Sequence, residues 1–70
     1  MQMRAKLMCS DITVRELASM ALDEDAMCQI WSPRYGTIFD GSFNEAKNCT
    51  YINIVVDSFQ VEDGVFIMNI

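Results

Sequence analysis

Near its end the chain reads "SFQVEDGVFIMNI", and the Asp63-Gly64 pair inside it constrains the fold more than any other feature. A two-residue type I′ turn needs positive φ at both central positions, and Asp-Gly meets that need at low steric cost. Such a turn also sets the register of the strands that it joins. Centred on this pair, it places Glu62 opposite Val65, Val61 opposite Phe66 and Phe59 opposite Met68. Phe59, Val61, Phe66, Met68 and Ile70 then share one face, because side chains alternate along a strand. That face is expected to lie under a helix. Val65 and Ile67 fall on the other face, where either a second element or a partner must cover them. As the last element of the sequence, the strand is also expected to present an open edge.

Upstream, "TYINIVV" reads as an extension of the first hairpin strand, but its parity conflicts with the turn. Ile52, Ile54 and Val56 alternate in the sense opposite to Phe59 and Val61. One strand cannot bury both sets on one face, since its period is two. One extra residue at Asp57-Ser58 removes the conflict, so a β-bulge or bend is expected there.

The clearest helix is "DITVRELASMALDED". Thr13 and Glu16 form an S/T-x-x-E capping box, in which each side chain satisfies the other residue's backbone N–H. Ile12 and Leu17 occupy the positions of a hydrophobic staple. Val14, Leu17, Ala18 and Ala21 follow as one apolar stripe. Asp23, Glu24 and Asp25 oppose the negative C-terminal end of the helix dipole, so the helix should stop near Leu22.

"AMCQIWS" reads as a strand with Cys28 and Ile30 on one face and Met27 and Trp31 on the other. Pro33 and Gly36 mark a turn through "SPRYG", and "TIFDG" returns as the second strand of a hairpin. Ser42 and Glu45 repeat the capping pattern, predicting one or two helical turns with a loop as the alternative. At the start, Met3, Ala5 and Leu7 alternate with Arg4 and Lys6, which suits a strand; a helical or unstructured start is the alternative. The expected fold is therefore a single α+β domain over residues 1–70. One main helix packs on a four- or five-stranded, mainly antiparallel sheet made of two hairpins.

Seventy residues give a small core, and domains of this size are often helped by disulfides, metals or association. The apolar fraction of 51% argues for a folded chain and hints at apolar surface buried against another molecule. Cys9, Cys28 and Cys49 are odd in number and widely spaced, so they read as reduced thiols of a cytosolic protein and not as a disulfide framework. "MQMRAKLMC" lacks an apolar run long enough for an export signal, and no stretch approaches the length of a membrane span. "NCT" at Asn48–Thr50 is then a coincidental glycosylation sequon. The expected location is the cytoplasm of a bacterial cell.

Catalysis finds little support. The chain has no histidine, which removes Ser-His and Cys-His nucleophile pairs and the commonest metal ligand. Three isolated cysteines do not make a four-thiolate zinc site. No glycine-rich phosphate loop occurs, and "DEDA" lacks the alternating ligands and closing glutamate of a calcium loop. Adjacent acids occur in "DED" and "ED", where solvation keeps carboxylates ordinary. The expectation is a non-enzymatic protein with no cofactor and no metal.

Recognition remains. The net charge is −5, and it is unevenly distributed. Arg4, Lys6 and Arg15 stand against Asp11 in residues 1–15, whereas residues 16–70 set nine acids against Arg34 and Lys47. An acidic surface repels phosphate backbones, so the expected partner is a protein with a basic surface, with no direct nucleic-acid or membrane binding. A homodimer stays open. Two candidate surfaces stand out. Trp31, Arg34 and Tyr35 gather at one hairpin tip and are residue types enriched in interface hot spots. The competing reading makes Trp31 a cover for the core and the other two ordinary turn residues. Asp23, Glu24, Asp25, Asp40, Glu45, Glu62 and Asp63, if they share one side, imitate the charge spacing of a nucleic-acid backbone. An ordinary solvated surface is the competing reading there.

The segments "ITVREL", "QIWS…TIFDGSF" and "VVDSFQVEDGVFIMNI" together resemble small proteins from phages and mobile elements of Firmicutes. In these, a capped helix precedes short strands and the chain ends in a "DG" hairpin. The resemblance implies a phage or mobile-element origin, a setting rich in small acidic inhibitors of host defence, including anti-CRISPR proteins. It assigns no functional residue.

Overall fold

The turn at Asp63-Gly64 forms, with φ of 51° at Asp63 and 79° at Gly64. The computed structural model describes residues 3–6 by their backbone and residues 12–70 in full. Among these residues it holds five strands and two helices in the order β1 (Met3–Lys6), α1 (Val14–Ser19), β2 (Met27–Ser32), β3 (Gly36–Ser42), α2 (Phe43–Ala46), β4 (Ser58–Glu62) and β5 (Val65–Asn69). The hairpin register is the one its turn requires: Glu62 pairs with Val65, Val61 with Phe66 and Phe59 with Met68. The first strand is present over Met3–Lys6, antiparallel to β4. The expected alternation of side chains at Met3, Ala5 and Leu7, and Cys9 with it, lies outside the described residues.

The architecture is α+β, with three corrections to the expected arrangement. First, the sheet is mixed. Its order is β1-β4-β5-β2-β3, and β5 runs parallel to β2, pairing Cys28 with Phe66 and Ile30 with Met68. The final strand is therefore central and not an open edge. Phe66 and Met68 serve the core face, while Val65 and Ile67 lie part-buried on the other.

Second, there is no single main helix. Both helices are short: six residues in α1 and four in α2, each opened by a complete capping box, Thr13 with Glu16 and Ser42 with Glu45. α1 ends at Ser19, short of Leu22. The Ser19 hydroxyl donates back to the Arg15 carbonyl at 2.7 Å, and the amides of Met20 and Ala21 donate to the carbonyls of Leu17 and Ala18, three residues back. Such tightened bonding closes the last turn of a helix. An Asx turn follows, in which the Asp23 side chain accepts from the Asp25 N–H at 3.0 Å.

Third, "TYINIVV" is not a strand. The chain turns through residues 50–53, and β4 begins at Ser58. The parity conflict is thus resolved by leaving the sheet, and no bulge is needed at Asp57-Ser58. The segment caps α1 instead. Val14 and Arg15 donate their free first-turn amides to the carbonyls of Ile54 and Ile52 at 2.9 and 3.1 Å, and Val56 donates to Ile12 at 2.8 Å. These partners satisfy N–H groups that have none within the helix. A register shift does occur between Ile30 and Trp31, in the first hairpin.

The core lies on one side of the sheet. Val14, Ala18, Phe43, Ala46 and Val56 pack there on Cys28, Ile30 and Met68. Phe66 joins them, with its ring centroid 5.5 Å from Phe43 and 5.0 Å from Phe59. Among the described residues, no helix lies on the opposite side of the sheet.

Candidate protein-binding surfaces

The parallel pairing of β2 and β5 decides where the acids lie. The loop of residues 23–26 leads into β2, and the Asp63-Gly64 turn leads into β5. Parallel neighbours start at the same end of a sheet, and Cys28 opposite Phe66 fixes that alignment. The start of α2 joins them: Ser42 pairs with Met27, the Phe43 N–H donates to Ala26 at 3.1 Å and the Asn44 N–H to Glu24 at 3.0 Å. Asp23, Glu24, Asp25, Glu45, Glu62 and Asp63 therefore belong to one end of the sheet. Asp40 lies within β3, two residues before Ser42 and opposite Gln29 of β2.

Several of these acids also have local structural work. The Glu45 carboxylate accepts from the Ser42 N–H at 3.0 Å, completing the capping box of α2. It lies so close to Gly41 that an added Cβ there would stand 3.1 Å from Glu45 Oε1 and 3.1 Å from the Phe39 ring. Glu24 forms an ion pair with Lys47 at 2.7 Å, on the exposed surface. Asp63 supplies the positive-φ turn position, and Glu62 is half-buried. Asp23, Glu24, Asp25 and Asp63 remain exposed to solvent.

The aromatic-cationic set occupies the other end. The β2–β3 turn is built on Ser32, whose hydroxyl accepts from the Arg34 and Tyr35 amides at 3.2 and 3.4 Å. Arg34 and Tyr35 are exposed, and the guanidinium sits 5.4 Å from the Tyr35 ring centroid, within cation–π range. Trp31, 41% exposed, is not a cover for the core. It points to the helix-free side of the sheet, beside Asn69 and Thr37 in adjacent strands. There a shallow depression of about 650 Å³ is lined by Gln29, Trp31, Gln60, Glu62, Ile67 and Asn69, among others, which brings the acid Glu62 to the same depression as Trp31. Ile67 is part of its lining.

A third surface was not anticipated. Between the end of α1 and the start of the sheet lies an apolar groove of about 290 Å³, lined by Met20, Ala21, Leu22, Ala26, Phe43 and Phe66. Leu22 is fully exposed and Met20 is 61% exposed. The sequence signal was available: neither residue belongs to the stripe Val14, Leu17, Ala18 and Ala21.

Two thiols lie among the described residues. Cys28 is free and buried, and its pKa is pushed up to about 11, first by burial and then by the neighbouring Cys49, Asp40 and Glu45. A thiol so protonated reacts slowly. Cys49 is free and half-buried. Among the described residues, no group of three or more Cys, Asp or Glu side chains is disposed to hold a metal ion, and no helix is long and apolar enough to cross a membrane. Compared with known proteins, the chain matches no family model, no curated protein and no solved structure.

Proposed function

We propose that this chain is a small non-enzymatic protein-binding domain that uses its acidic end to dock on a basic surface of a partner. The observation that carries this reading is the gathering of six acids at the sheet end where β2 and β5 begin, with Lys47 paired to Glu24 among them. Carboxylates in that number repel phosphates and attract lysine and arginine, and they steer association at long range. In its finer form, the domain is a phage-encoded, anti-CRISPR-like inhibitor. It occupies the basic groove in which a host defence protein would hold nucleic acid, in the cytoplasm of the bacterial cell. Capture from such a host with the wild-type chain, compared with Asp23→Lys/Asp25→Lys, tests it. A nucleic-acid-binding protein retained by the first and lost by the second is the expected result. Capture that survives both the charge reversal and high salt rejects the reading.

A self-associating accessory domain is the second reading. β3 is an edge strand, and the helix-free side of the sheet carries Trp31 and Ile67. Against it, the edge bears the exposed Asp40 and the β2–β3 pairing is irregular, both of which discourage edge-to-edge pairing. Light scattering that shows only monomer at micromolar concentration excludes this second reading.

A further inference from the structure

The apolar groove beside α1 adds a requirement to the partner. Its lining is almost wholly hydrocarbon and aromatic, from Ala21, Ala26, Phe43 and Phe66, with Met20 and Leu22 at its lip. Leu22 and Met20 are exposed beside this concave apolar surface, so together they form a continuous apolar patch rather than isolated exposed residues. The groove also has a signed rim. Asp23 lines it directly, and the exposed Glu24 and Asp25 follow in the loop that leads from it into β2. The Asp63 turn stands at the same end of the sheet, three residues before Phe66.

Apolar floor and acidic rim together select the occupant. A membrane surface is disfavoured, because surface-binding patches pair exposed leucine with basic residues that meet anionic lipid headgroups. A nucleic acid is disfavoured by charge. We infer that the groove receives a peptide segment of the partner protein in which one or two large apolar side chains are flanked by lysine or arginine. The apolar anchors fill the groove between Met20 and Phe66, and the flanking cations meet Asp23, Asp25 and Asp63. This rests on the proposed basic-partner function and makes it more specific. Charge alone would accept any polycation, whereas the groove demands an anchor.

Two synthetic peptides of equal length and equal lysine content separate the two claims. One carries two leucines between its lysines; the other has glutamine at those positions. Fluorescence anisotropy with the full chain should show the leucine peptide binding roughly tenfold tighter or better, as burial of one leucine side chain supplies. Met20→Ser and Leu22→Ser, both at exposed positions and so compatible with folding, should abolish that preference. Asp23→Lys/Asp25→Lys should weaken both peptides. Equal affinity for the two peptides, still lost on charge reversal, overturns the anchored-peptide inference and leaves the basic-partner reading standing. Leucine-peptide binding indifferent to the charge reversal overturns the basic-partner reading itself. A dimer in sedimentation that Leu22→Ser dissolves, without peptide binding, assigns the groove to a second copy and also overturns the inference.

Discussion

Cys28 stands opposite Phe66 in the parallel pairing of β2 and β5, fully enclosed, with its thiol pKa raised to about 11. The unfolded chain loses this proton near the ordinary thiol value of 9.0. The folded form thus holds its proton more tightly, so this thiol's contribution to stability is complete below pH 9.0 and is lost as pH rises through about 11. Alkylation at pH 8, followed by peptide mass spectrometry, should label Cys49 well before Cys28. Equal labelling of the two in the native state would contradict the burial of Cys28.

Gly64 has φ of 79°, a conformation that costs a residue with a Cβ about 1–2 kcal/mol. Gly64→Val should therefore lower stability by that amount or more, with the loss read as a shift in the urea midpoint at constant slope. Asp63→Asn, which keeps a side chain tolerant of positive φ, should leave the midpoint nearly unchanged.

The two capping boxes predict similar costs in different places. Thr13→Ala and Ser42→Ala each remove a hydroxyl that accepts from the N3 amide, at 3.3 and 3.1 Å. Each should destabilise the chain by about 1 kcal/mol. α2 also holds Phe43 over Phe66, so Ser42→Ala should loosen the groove wall as well. Faster amide exchange at Phe43–Ala46 in that variant would show it.

The local devices were legible because each is short-range chemistry. Asp63-Gly64 sets its own register, and Thr13 with Glu16 announces a helix start without reference to anything distant. What sequence did not show was the neighbour of β5. Nothing in "VFIMN" says whether the strand beside it is β2, although Val65 and Ile67 alternating with Phe66 and Met68 did mark a strand apolar on both faces. The same blindness hid the fate of Ile52 and Ile54. Their carbonyls serve the amides of Val14 and Arg15, a partnership across more than thirty-five residues that overrides the local preference of "YINIVV" for a strand. The acids were legible as a list. Their gathering at one end follows only once β2 and β5 are known to start together.

That arrangement also separates Trp31, Arg34 and Tyr35 from the exposed acids Asp23, Glu24, Asp25 and Asp63, although Glu62 borders the same depression as Trp31, and the separation is testable. Trp31 is the single tryptophan and lies on the helix-free side of the sheet, with Arg34 and Tyr35 beyond it at the β2–β3 turn. The acidic end lies where β2 begins, at the far end of the strand. A partner that docks only on the acids should leave Trp31 emission and its quenching by acrylamide unchanged. Trp31→Ala and Arg34→Ala should then bind that partner within about twofold of wild type, since both positions lie outside the contact. Asp23→Lys/Asp25→Lys should weaken binding steeply, and more so at low salt, where exposed charges are least screened. Loss of binding in Trp31→Ala, in a variant whose urea midpoint is unchanged, would place the contact on the open side of the sheet instead.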